Sequence, residues 1–138
     1  MKRRVVMMSA ALPLLLASIM PGGDRGAGAQ GRPEIQRKAL LQQDLAIPGY
    51  QMVVNIVEIP AGVSEIKHTH PGALSGYILE GTLVLEREGQ PTATFKPGEL
   101  FYVEAGKIHQ GINNGNSPVT IVATLVVEKA KPASAAAQ

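Results

Sequence analysis

From Tyr50 to Glu128 the chain is a succession of short β-branched and apolar runs cut by turn-forming residues. Tyr50–Ile59 (YQMVVNIVEI) is followed by Pro60-Ala61-Gly62, and the extended run 66–70 comes next. The runs 76–79 and 82–87 meet at Glu80-Gly81, and Gly89-Gln90-Pro91 precedes the run 92–95. Lys96-Pro97-Gly98, Ala105-Gly106 and Asn113–Pro118 (NNGNSP) then separate the runs 100–103, 108–112 and 119–128. Strands recurring every 8–12 residues with turn chemistry between them specify an all-β sandwich or barrel. A parallel βαβ sheet is excluded, because no helical period lies between the strands. Outside this region, residues 33–43 (PEIQRKALLQQ) carry good helix formers behind Pro33 and predict one short helix. The segment 129–138 (KAKPASAAAQ) is of low complexity and is expected to be disordered.

The first 29 residues read as an export signal. Lys2-Arg3-Arg4 opens a run from Val5 to Met20 broken only by Ser9, Pro13 and Ser18, and Ala27-Gly28-Ala29 supplies an A-x-A site. That order matches a secretory signal peptide, removed on export. A membrane anchor is the competing reading, but the run is short for a spanning helix, which needs roughly 20 apolar residues. The organisation expected is therefore a signal peptide over 1–29, an arm over 30–48, a barrel over 49–128 and a loose tail. The mature chain would be periplasmic or secreted, with no stable membrane anchor. Residues 30–138 carry 9 basic and 10 acidic groups with no basic run, which argues against nucleic-acid binding. The absence of cysteine excludes disulfides, thiolate metal sites and a cysteine nucleophile.

The three histidines are the chemically informative residues. His68 and His70 are two apart in an extended run, so both side chains lie on one face. His109 follows 39 positions after His70, and a closed barrel can bring it opposite the pair. Three imidazoles can hold one divalent ion, whether Fe, Mn, Zn, Ni or Cu, and leave positions open for substrate. An HxH pair alone is equally a pair of surface or hydrogen-bonded histidines.

The context of the histidines resembles the cupin family. Its first motif, G-x5-H-x-H-x3-4-E-x6-G, is matched by Gly62, His68, His70 and Gly81. Its second, G-x5-P-x-G-x2-H-x3-N, is matched by Gly98, Gly106, His109 and Asn113. The resemblance implies a double-stranded β-helix, or jelly roll, and a metal held by His68, His70 and His109. Two positions depart from the pattern. Glu104 stands where the family has proline, and the slot of the first motif's glutamate falls on Leu74, or on Ser75 with a shift of one. A site of three neutral imidazoles keeps the full charge of its cation and favours a small anionic, chelating substrate. Dioxygenase-like chemistry is one outcome, lyase or isomerase chemistry another, and a non-catalytic metal-binding or ligand-binding barrel is the alternative.

Leu74, Tyr77 and Asn113 are the candidate pocket residues beside the histidines. Barrel packing competes as the role of Tyr77, and closure of the Asn114-Gly115 turn as that of Asn113. No catalytic acid or base can be named. The runs 52–57 and 121–127 are apolar on both faces, which anticipates a homodimer.

Overall fold

A computed structural model describes residues 33–137, so the signal-peptide segment 1–29 lies outside the described residues. Ten strands and no helix occur among them: β1 Gln36–Asp44, β2 Tyr50–Ile59, β3 His68–Thr69, β4 Ala73–Glu80 and β5 Leu83–Arg87. There follow β6 Ala93–Phe95, β7 Leu100–Val103, β8 His109–Ile112, β9 Val119–Glu128 and β10 Ala135–Ala136. They form two five-stranded sheets, ordered β1-β2-β9-β4-β7 and β10-β3-β8-β5-β6, with every pairing antiparallel. The all-β barrel expected from the turn pattern is the architecture observed.

Alternation within the strands builds the core. On β9, Val119, Ile121, Ala123, Leu125 and Val127 are buried, while the residues between them are partly exposed. Leu74 and Ile78 of β4, Leu83 and Leu85 of β5, and Phe101 and Val103 of β7 meet them from both sheets. The Phe101 ring fills the space over Gly76, where any β-carbon would collide with it. Gly62 stands at φ +72° in the turn after β2, a conformation other residues rarely adopt.

Two segments depart from the sequence expectation. Residues 36–44 form β1 rather than a helix, pairing along β2 from Gln36↔Glu58 to Asp44↔Gln51 with an irregularity between Ala39 and Leu41. The open edge of β2 supplies backbone partners along nearly its whole length. Helix propensity, worth only tenths of a kcal/mol per residue, loses to it. The tail also has ordered structure: β10 pairs with β3, and the Ala137 amide donates to the Lys67 carbonyl at 2.9 Å. Alanines have little side-chain entropy to lose, so this poor sequence can lie along an open strand edge.

Candidate metal centre

The register of the second sheet assembles the histidines. His68 on β3 is the direct cross-strand partner of His109 on β8. His70, two residues beyond His68, points the same way, and its backbone is tied in place by the Gly106 amide donating to its carbonyl at 2.8 Å. Ring centroids are 4.9 Å apart for His68–His70, 4.2 Å for His68–His109 and 5.0 Å for His70–His109. One ring nitrogen from each of the three lies within 4.8 Å of the others.

Hydrogen bonding decides which nitrogen each ring offers. The Nδ1 of His68 meets the Ile66 carbonyl at 2.8 Å, that of His70 the Ala133 carbonyl at 2.6 Å and that of His109 the Lys107 carbonyl at 3.0 Å. A carbonyl only accepts, so each neutral ring carries its hydrogen on Nδ1 and leaves Nε2 as a free lone pair. This is the arrangement that backbone carbonyls impose on metal-ligating imidazoles. His109 is 3% exposed, and its Nε2 is buried without a hydrogen-bond partner among the described residues. An orphaned buried acceptor is costly unless something electrophilic meets it. Burial also lowers the pKa of His109, more than the Lys107 bond raises it. For His70 the same desolvation outweighs the Ala133 bond and brings the pKa down to about 4. Both rings are therefore neutral and ready to ligate at neutral pH.

The histidines open on a cavity of about 140 Å³ floored by Leu74, Leu83, Leu85 and Phe101. That is well below the roughly 300–1,000 Å³ of a drug-sized pocket, so only a small molecule fits. Leu74 is 6% exposed and occupies this wall as an apolar residue. The other two pocket candidates lie elsewhere. Tyr77 is on the outer face of β4 and 41% exposed, because it lies three residues after Leu74 on an alternating strand. Asn113 is 1% exposed just past β8, donating to the Ile59 carbonyl at 2.8 Å and the Ser117 carbonyl at 2.9 Å. It accepts from the Gly115 amide at 3.0 Å, so its polar atoms close the turn rather than face the cavity.

Several polar cavity residues had no motif to mark them, Glu65 and Arg37 among them. Glu65 precedes β3, accepts from Arg37 at 2.7 Å and from the Gly111 amide at 3.3 Å, and lines the cavity with the histidines. A β-carbon on Gly111 would lie 2.8 Å from the Glu65 carboxylate, so the glycine makes room for it. Arg37 comes from β1, opposite the inward Val57, and stands at the edge of the same cavity. The only sequence signal for Glu65 is a carboxylate three residues before His68.

Comparison with known proteins decides the family, since the cupin domain matches residues 55–127. The chain belongs to the cupin family. No curated protein matches it. Among solved structures, this cupin resembles an uncharacterised conserved protein with a double-stranded β-helix domain from Klebsiella pneumoniae. Identity is 22%, with TM-score 0.63 over 78% of this chain and 90% of that one. KdgF from a Halomonas species gives 22% and 0.56 over 69% and 81%. The DMSP lyase DddQ from Ruegeria pomeroyi gives 22% and 0.56 over 62% of this chain and 42% of its own. At such identities the likeness is one of fold.

Proposed function

We propose that this cupin is an exported, metal-dependent enzyme that holds one divalent ion through His68, His70 and His109 and acts on a small anionic, chelating substrate. The observation that carries the reading is the buried, unpartnered Nε2 of His109, converging with two other rings whose Nδ1 atoms are occupied. A bound ion would supply Lewis acidity to a chelated oxygen. Around it, Leu74, Leu83, Leu85 and Phe101 exclude water from the substrate. The uncancelled charge of that ion would hold the anionic group, and Glu65, ordered by Arg37 and Gly111, is the carboxylate placed to hold or accept a proton. With iron, dioxygenase-like chemistry fits this site; with zinc or manganese, a lyase or isomerase.

One observation favours a second reading, a non-catalytic barrel that binds metal or a small ligand: Leu74 occupies the slot where the family carries a ligating carboxylate. Elemental mass spectrometry on untagged protein from its native compartment separates the two when joined to turnover assays. Near one metal per chain, lost in His109→Ala, supports the centre, and turnover lost with it supports the enzyme. Metal without turnover on enolisable, phenolic and hydroxy acids supports the binding barrel. No metal before or after reconstitution overturns the metal-dependent enzyme and leaves a barrel that binds a small ligand.

Export rests on the basic start, apolar run and A-x-A site of residues 1–29, and the N-terminal sequence of protein recovered outside the cytoplasm tests it. A homodimer is the expected assembly. The strand pairings put Met52, Val54, Ile56, Val122, Val126 and Tyr77 on one outward face of the first sheet. Neighbouring apolar side chains on an outward sheet face are a surface a second copy of the chain can cover.

A further inference from the structure

The three histidines are not held alike. His68 and His109 each bond a carbonyl two residues earlier in their own segment, so their orientation comes with the strands that carry them. His70 bonds the carbonyl of Ala133, 63 residues away in the C-terminal segment. That segment is fixed by β10 on β3 and by the Ala137–Lys67 hydrogen bond, and Ala133 and Ser134 form part of the cavity wall.

We infer that the C-terminal segment 132–137 is a working part of the metal centre, in which the Ala133 carbonyl positions His70 for ligation. The inference rests on the three-histidine reading above. With an acceptor at Nδ1, the neutral His70 ring must carry its hydrogen there and present Nε2 to the ion. His70 is the least buried of the three rings. Without Ala133 it has no hydrogen-bond partner among the described residues to fix its tautomer or rotation. Losing such an outer partner typically weakens metal binding 10- to 100-fold. The barrel does not depend on the segment: none of its residues belongs to the buried core. A two-strand ladder two residues long also sits at the low end of local stability. The centre is thus completed by a short, easily detached strand, and its metal affinity depends on whether that strand is docked.

The test compares the full-length chain with one ending at Lys131, and with full-length Ala135→Pro. The amide of Ala135 points to β3 as that of Ala137 does, and proline cannot supply it. Zn²⁺ affinity is read by competition with a chromophoric chelator. The His70 tautomer is read from ring ¹⁵N shifts of the metal-free protein. Expected are one zinc per chain in all three, 10- to 100-fold weaker binding in both variants, and a His70 ring that changes from a single Nδ1–H form to a mixture. Equal affinity in the three chains, or an unchanged His70 spectrum, overturns the inference and leaves the metal centre standing. No zinc uptake by the full-length chain overturns the metal centre and the inference with it.

Discussion

Replacing His109 by leucine should separate what this residue does for the metal from what it does for the fold. Its ring is 3% exposed, its Nδ1 is satisfied by Lys107 and its Nε2 has no partner. Without metal, that unmet acceptor costs the native state about 1–3 kcal/mol. Leucine, of similar volume, removes the orphan and gives up one hydrogen bond worth about 0.5–1.5 kcal/mol. It sits beside Leu83, Leu85 and Phe101, which line the same cavity, and so adds apolar burial. The net expectation for metal-free protein is a variant as stable as the parent, or more stable by about 1 kcal/mol. With metal at a hundred times its dissociation constant the parent gains about 2.7 kcal/mol, and the variant gains nothing. The order of stability therefore reverses on adding metal. Urea unfolding of both proteins, with chelator and with Zn²⁺, measures all four values. A metal-free variant destabilised by more than about 2 kcal/mol would show that His109 is kept for packing, since that exceeds the single hydrogen bond lost. Equal stabilisation of both proteins by zinc would move the metal elsewhere.

The other predictions follow from the same geometry. Asn113→Ala leaves the Ile59 and Ser117 carbonyls and the Gly115 amide without their partner. It should cost about 2–4 kcal/mol in urea unfolding with zinc affinity unchanged; weakened zinc binding at full stability would return Asn113 to the site. Because burial holds the His70 pKa near 4 against an ordinary 6.5, the unfolded chain takes up that proton first as pH falls. Metal-free stability should therefore decline from pH 6.5 towards 4, while zinc binding persists below pH 6. A urea midpoint constant across that window contradicts the assigned burial. Glu65→Gln keeps the contact with Arg37 as a hydrogen bond but cannot take a proton. It should retain zinc and lose about a hundredfold or more in turnover, the low end of what acid–base groups contribute. Unchanged turnover would remove Glu65 from the chemistry. Val126→Lys places a charge on β9, the central strand of the outward apolar face. Sedimentation should show a dimer for the parent and a monomer for the variant, and a monomeric parent would refute the assembly.

How much of this was legible in the sequence depends on whether a property lies in side-chain order or in backbone placement. The barrel was legible because its turns need glycine, proline and asparagine at fixed places, and those residues survive any rearrangement of the strands between them. The histidine cluster was legible because period-two alternation puts His68 and His70 on one face. The same parity carries more than that. If Leu74 faces inward on β4, Tyr77 must face outward, and the exposed tyrosine follows from the rule that paired the histidines. For Asn113 parity does not suffice: it shares a face with His109 but lies past the end of β8, where depth along the barrel, not face, sets what it reaches. β1 was hidden because its residues favour a helix in isolation, and only the unpaired edge of β2 makes them a strand. Glu65 was hidden because it belongs to no strand and is brought to the cavity by Arg37 and by the missing side chain at Gly111. The Ala133 carbonyl could not have been found at all. Every residue has a carbonyl, so a ligand-positioning group of that kind leaves no mark in composition or motif. It becomes visible only when the tail is seen lying along β3, which is also why a segment of four alanines, one proline and one serine can stand beside the site.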